Sequence, residues 1–273
     1  VRLTNNMGAL PALITGDVDV ISSIIYPSLF NAIHAGSKVR LVADRGHVGP
    51  GGCSWYSFIV RKSLAESTDL DRGDWLRGAR YALNGPSSPH AYLADRLLNT
   101  YGLSLEDIET VGIPVTARIP AFESGAIDFT LANEPWIVNS LDSGQAVEWK
   151  ALASVVPSFQ QSAVQFGPRL LGQDVGAGKR FMVAYLKAVR QFNRGKEARN
   201  LSIVAKHTGL ETEQLLTMCW PILQSGGNID LESVLDYQAW AVEKGFVTTP
   251  VSGDAIWDPR FVDHAVSVLG QEP

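Results

Sequence analysis

Apolar and polar positions fall in short blocks along this chain, and the blocks repeat. Residues 12–19 and 121–128 share the pattern A-x-x-x-G-x-[VI]-D, with Ala12, Gly16, Val18 and Asp19 answered by Ala121, Gly125, Ile127 and Asp128. Pro27 follows Gly16 by eleven residues and Pro135 follows Gly125 by ten. Gly36 and Gly144 each lie nine beyond their proline, and Val39 and Val147 three beyond their glycine. The match spans 12–39 and 121–147 with one single-residue gap.

Each copy predicts the same elements. A short helix stops at glycine, which tolerates the left-handed backbone a helix end favours. A strand follows, over Val18–Ile21 or Ile127–Leu131. It opens into a polar loop, Ser22-Ser23 or Asn133-Glu134. Proline then starts a helix where its missing N–H costs nothing, and glycine ends it before a second strand. This is a βαβ pattern, so a parallel sheet is expected in each copy. Between the copies, Tyr81 to Leu83 predicts a strand and Ser88-Pro89 a capped helix start. Leu93, Leu97 and Tyr101 form that helix's apolar stripe, and Gly102 is its stop. The last hundred residues read as helical. One apolar face is predicted at Phe181, Tyr185, Ala188, Val189 and Phe192. Another lies at Leu231, Val234, Leu235, Gln238 and Val242, with Asp230 as N-cap and Gly245 as stop.

Composition narrows the class. The 273 residues leave room for two domains at roughly 100–200 residues each. The formal net charge is −5, and Lys and Arg are scattered, which argues against a phosphate-reading nucleic-acid surface. No run of about 18 apolar residues suggests a membrane span, and no signal peptide is visible. A start at Val1 is read as processed or truncated. Cys53 and Cys219 could form one disulfide, but their spacing does not require it. The five histidines lie far apart, so neither a metal site nor a cofactor is expected.

Ligands of open α/β sheets bind beyond the carboxyl ends of the strands. That rule selects Ser22-Ser23, Gly49 to Trp55, Asn84 to His90 and Asn133 to Trp136. Glycines around Gly52 would let backbone N–H groups approach a ligand. The Ser87-Ser88 helix start suits an anion, with His90 in its first turn. Trp55 and Trp136 could stack on a planar group or belong to the core. Glu134 favours a cationic or hydrogen-bond-donating group, or bonds nearby backbone. Asp19 and Asp128 occupy equivalent places in the repeat, so they are read as structural partners of the backbone, not as catalytic carboxylates. An enzyme reading makes Cys53 a nucleophile, with His47 or His90 as its base.

The chain resembles the solute-binding proteins for nitrate, sulfonates, taurine and thiamine-pyrimidine precursors, the NMT1/THI5-like group. The resemblance rests on the run Ala12 to Asp19, Leu83 to Ser88, Gly102 to Asp107, and Gly125 to Asp128 with Glu134-Pro135-Trp136. It continues through Asp236 to Trp240 with Lys244-Gly245, and Asp258 to Asp263. It implies a two-lobed, type II periplasmic-binding-protein-like α/β fold. Each lobe would be a mainly parallel sheet flanked by helices, with two crossing strands as hinge. Residues 1–66 and 163–273 would form one lobe and 67–162 the other. Ligand contacts carried over are Ser22, Ser23, Gly52, Cys53, Ser54, Trp55, Ser87, Ser88, His90, Asn133, Glu134 and Trp136, converging on a cleft. The implied partners are a small organic or anionic ligand and a membrane permease of the ABC type. The protein would be a periplasmic or extracytoplasmic monomer, free or lipid-anchored, with no catalytic residue. Two alternatives share the scaffold: a Cys53 enzyme of desulfinase or pyrimidine-synthase type, and a ligand-sensing regulatory domain. One departure stands out. The opening strand and helix of the family have no counterpart before Val1-Arg2-Leu3-Thr4.

Overall fold

The glycines of the repeat do what the pattern demands. In the computed structural model, which describes residues 9–49 and 53–271, helix α1 (Ala9–Thr15) gives way to Gly16 at φ 81°, and α5 (Arg118–Glu123) to Gly125 at φ 70°. The N–H of Val18 then donates to the carbonyl of Ala12 at 3.2 Å, and that of Ile127 to Ala121 at 3.3 Å. These two N–H groups satisfy helix-end carbonyls and are lost to the sheet. Strands β1 (Val20–Ile24) and β6 (Phe129–Asn133) therefore begin two residues later than the apolar pattern suggests. This corrects the assignment of Ser22 and Ser23 to a loop: both lie in β1, opposite Val164 and Ala163.

After β1 come α2 (Pro27–His34) and β2 (Arg40–Val48). The chain continues through β3 (Tyr56–Arg61), α3 (Lys62–Ser67), β4 (Arg80–Leu83), α4 (Pro89–Asn99) and β5 (Glu109–Gly112). Following α5 and β6 are α6 (Trp136–Asp142) and β7 (Ala146–Ala151). Then come β8 (Phe159–Phe166), α7 (Val175–Asn193), α8 (Ala198–Thr208), α9 (Thr212–Thr217), α10 (Leu231–Glu243), α11 (Gly253–Ile256) and α12 (Arg260–Leu269).

The strands form two sheets, β1-β8-β2 and β5-β4-β6-β3-β7. Both are mixed. β4 runs parallel to β5 and β6, whereas β3 runs antiparallel to β6 and β7, and β8 antiparallel to β1. The two strands of each repeat do not pair with one another, contrary to the simple βαβ expectation. A strand from elsewhere in the chain sits between them: β8 in the first copy and β3 in the second. The insertion is equivalent in both. Gly167 N–H, just after β8, donates to the Asp19 carbonyl at 3.0 Å, and Arg61 N–H, closing β3, donates to the Asp128 carbonyl at 2.8 Å.

Contacts divide the chain into two compact units. The first comprises Val1–His47, Ser158–Asn200 and Ile222–Pro273, and the second Val48–Pro157 and Leu201–Pro221. The sequence reading placed the crossings at 66/67 and 162/163. The difference arises because β3 belongs to the second sheet, a pairing invisible to local pattern. The first unit's core gathers Val42, Val164, Phe166, Met182, Leu186, Phe261 and Val262. The second packs Ile59, Ala82, Phe122, Ile127, Ala132 and Ile137. Helix α7 buries Gly178, Met182, Leu186 and Val189, while Phe181 is exposed. Of the stripe predicted through Phe181, Tyr185, Ala188, Val189 and Phe192, only Val189 is fully buried, and the rest of the buried face is rotated by about one residue. Gly178 explains the rotation: a Cβ there would lie 2.6 Å from the Phe261 ring, so the helix seats its glycine against that ring. Asp230 caps α10 as expected, accepting from Ser233 N–H at 3.1 Å.

Candidate functional site

Three of the selected loops leave one edge of the five-stranded sheet. β4 and β6 are parallel, so their carboxyl ends share that edge. β3 is antiparallel to β6 with Tyr56 opposite Asn133, which brings the start of β3 to the same edge. Trp55, Asn84 to His90 and Asn133 to Trp136 therefore meet within the second unit. Glu134 N–H donates to the Trp55 carbonyl at 3.0 Å. Trp55 stacks on Tyr56, with ring centroids 5.4 Å apart, and Tyr56 lies 5.7 Å from the His90 ring.

Local bonds fix these groups. Ser54 Oγ donates to the Tyr56 carbonyl at 2.9 Å and lies 2.7 Å from Ser57 Oγ, which donates to Glu148 Oε1 at 2.7 Å. Ser88 occupies the N-cap position of α4, but its hydroxyl does not cap; it donates to the Gly85 carbonyl at 2.7 Å. Ser87 is half-buried beside it. Pro89 has no N–H, so the first amide of α4 is that of His90. Asn133 Nδ2 donates to the Glu134 carbonyl at 2.9 Å. The Glu134 carboxylate accepts from the N–H groups of Val138 and Cys219, each at 3.2 Å. Trp136 opens α6 and packs, half-buried, against the Ile59–Ile137 core. Gly52 lies outside the described residues.

His90 is buried, and its Nδ1 has no hydrogen-bond partner among the described residues. Burial, aided by the nearby Arg118 charge, pushes its pKa down to about 3. The imidazole is neutral near pH 7, far from the poise of a general base. Tyr81 Oη donates to the His90 carbonyl at 3.0 Å. Arg118 was not anticipated from the sequence. It is buried behind this edge, donating from Nη1 to the Leu131 carbonyl at 3.1 Å and from Nη2 to Asn84 Oδ1 at 2.9 Å. An arginine two residues before Pro120 carries no local signal of burial.

Cys53 and Cys219 are joined by a disulfide within the second unit. A disulfide sulfur is not a thiolate, which removes Cys53 as the nucleophile of the enzyme reading. Its suggested base His47 is engaged in the first unit. There the buried Asp44 carboxylate accepts from His47 Nδ1 at 3.1 Å, Gly46 N–H at 2.9 Å, Gln160 Nε2 at 2.7 Å and Gln224 N–H at 2.8 Å. The hydrogen bond that His47 donates to Asp44 raises the His47 pKa against the opposing effect of burial. Also in the first unit, Ser22 is exposed, whereas Ser23 is buried and accepts from Gln165 Nε2 at 2.9 Å. Gln165 Oε1 is buried without a partner among the described residues. Among those residues, no group of three or more His, Cys, Asp or Glu side chains could hold a metal.

Residues 57–193, half of the chain, match the family model described as NMT1/THI5 like. The protein belongs to that family. Its fold is correspondingly that of two-lobed periplasmic binding proteins. Over 97% of this chain and 87% of the other, it superposes on the ligand-binding component of an ABC-type import system from Staphylococcus aureus, crystallised with zinc bound, at 16% identity and a TM-score of 0.78. It is similar to the periplasmic aliphatic sulphonate binding protein SsuA of Escherichia coli at 20% identity and a TM-score of 0.75, covering 95% and 82% of the two chains. The desulfurization enzyme DSZB is also similar, at 15% identity and a TM-score of 0.67, covering 92% and 85%. No curated protein sequence matches the chain.

Proposed function

We propose that this family member is the solute-binding component of an ABC-type importer. It captures a small organic or anionic ligand and delivers it, chemically unchanged, to a membrane permease. The observation that carries this reading is the convergence of Trp55, Ser87 to His90 and Asn133 to Trp136 on one strand-end edge of the second unit. That edge combines aromatic faces with few polar groups, the usual make-up of a small-molecule site. Ser54 stands beside Trp55, and Ser22 and Ser23 are the proposed ligand hydroxyls of the first unit. Cys53 serves as an anchor for its loop and makes no catalytic contribution. The similarity to periplasmic binding proteins supports an extracytoplasmic location, and we further propose that the protein works as a monomer, free or held by a lipid anchor. Among the described residues, no helix is long and apolar enough to cross a membrane.

Thermal shift against a small-molecule library identifies the ligand, because binding the folded state raises apparent stability. Trp136→Ala should then weaken affinity for that ligand about tenfold or more, as measured by calorimetry. Unchanged affinity would remove this edge as the binding site. The similarity to DSZB makes turnover worth testing directly. Incubation should return the ligand intact by mass spectrometry; a product formed by wild-type protein would overturn the binding-only reading.

A further inference from the structure

Arg118 is 3% exposed, at the first position of α5. All three of its hydrogen bonds run to neutral oxygens: Nε to the Ile113 carbonyl at 3.4 Å, Nη1 to the Leu131 carbonyl and Nη2 to Asn84 Oδ1. No carboxylate among the described residues forms an ion pair with it. Two other arginines of the second unit behave differently: Arg61 and Arg80 are more exposed, and both grip Asp128 at 2.8–2.9 Å. A buried guanidinium is normally paired, because the charge has left water and needs compensation. Burial pulls the Arg118 pKa down, but an arginine starts high enough to stay protonated. An uncompensated positive charge therefore persists inside the second unit.

Its position gives that charge a use. Asn84 directly follows the carboxyl end of β4, the edge from which the candidate ligand loops leave, and Leu131 lies in β6 two residues before its carboxyl end. By holding Asn84 Oδ1, Arg118 fixes the amide so that Nδ2, a donor on an exposed residue, is left over. The same charge helps keep His90 neutral. We propose that Arg118 is a specificity-determining residue, a buried charge that makes the Asn84–His90 edge select an anionic ligand without touching it. This rests on the reading of that edge as the ligand site. At an effective permittivity of ~20, a unit charge roughly 10 Å from an anion changes affinity on the order of tenfold.

The test uses the full chain and matched probe pairs: short alkanesulfonates with the corresponding sulfonamides, and aromatic carboxylates with the corresponding carboxamides. Affinities are measured by calorimetry. Wild-type protein should bind at least one anion about tenfold or more above its neutral isostere. Arg118→Gln, which keeps hydrogen-bond donors but loses the charge, should collapse that ratio toward one. Arg118→Lys should retain most of it. A merely structural arginine would lower the melting temperature in both variants and leave the ratio alone. Should Arg118→Gln fail to fold, Arg118→Met, a second neutral replacement of similar length, takes its place and should collapse the ratio in the same way. Equal or better binding of the neutral isosteres, or of no anion in the panel, overturns the inference. So does a ratio unmoved in Arg118→Gln or lost in Arg118→Lys. The two readings separate through Trp136→Ala. If it weakens binding while the charge ratio ignores Arg118, only this inference fails. If it leaves binding untouched, the ligand edge itself is wrong.

Discussion

Asp19 and Asp128 stand at matching repeat positions, and each makes matching bonds. Each carbonyl accepts the N–H that follows or closes an inserted strand. Each carboxylate meets arginine: Asp19 meets Arg169 at 2.8 Å, and Asp128 meets Arg61 and Arg80. Their surroundings differ in exposure. Asp128 is buried and also accepts from the Arg80 N–H at 2.9 Å, while the Asp19 pair is open to solvent. For Asp128, burial favours the neutral acid, but the hydrogen bonds from Arg80 and Arg61 outweigh it and depress the pKa. Its contribution to stability is thus present above the unfolded value of about 3.9 and lost as pH falls through the lower folded value. Asp128→Asn should cost about 1.5–3 kcal/mol in urea unfolding at pH 7, and the loss should shrink in acid. Asp19→Asn should cost ~0–1 kcal/mol, as expected for an exposed pair. Equal costs would mean that the two aspartates carry the same structural weight despite their different exposure.

Among the elements, α7 shows most clearly how packing overrides local pattern. Several of its faces carry apolar residues, and periodicity alone favoured the one through Phe181 and Phe192. The structure instead buries the ridge led by Gly178, because that glycine admits Phe261 and Phe166 to close contact. Alanine is the better helix former by about 1 kcal/mol. Gly178→Ala should nonetheless destabilise the protein by about 1–3 kcal/mol, because its Cβ would meet Phe261 at 2.6 Å and Phe166 at 3.1 Å. Urea unfolding of the variant checks this, and a gain in stability would mean that the two rings yield at no cost. At β1 and β6, by contrast, the sequence reading erred by only two or three residues at each end. The elements were legible there, and only their bounds shifted with the helix-end hydrogen bonds.

Across the whole molecule, the second unit is built from distant pieces of chain. Residues Leu201–Pro221 belong to it, although the segments on either side belong to the first. That piece is tied down by the Cys53–Cys219 bond, by Glu134 accepting from Cys219 N–H, and by Gln214 donating to Asn139 at 2.5 Å. The disulfide closes a separation of 166 residues. A loop of that length limits the unfolded chain by about 5 kcal/mol in the chain-entropy model, toward the upper end of measured effects. The Cys53→Ser/Cys219→Ser double variant should lose about 2–5 kcal/mol. Reduction of the wild type should lower its melting temperature by the same amount as the substitutions. A reduced protein as stable as the oxidised one would show that the 201–221 segment holds without its covalent tie.

What the sequence determined by itself was local and repetitive: the glycine and proline punctuation, the order of helix and strand within each repeat, the doubling of one unit, and the loops that follow β4 and β6. Those features depend on backbone conformation and on side-chain spacing over a few residues, which the sequence encodes directly. The tertiary structure alone decided which strand enters each repeat, which face of α7 is buried and that Ser22 and Ser23 lie in a strand. It also joined Cys53 to Cys219 and buried Arg118 beside Asn84. Each of these is a pairing between residues far apart along the chain. Such pairings are selected by the competition of all apolar faces and backbone donors for one another, not by any neighbourhood of the sequence.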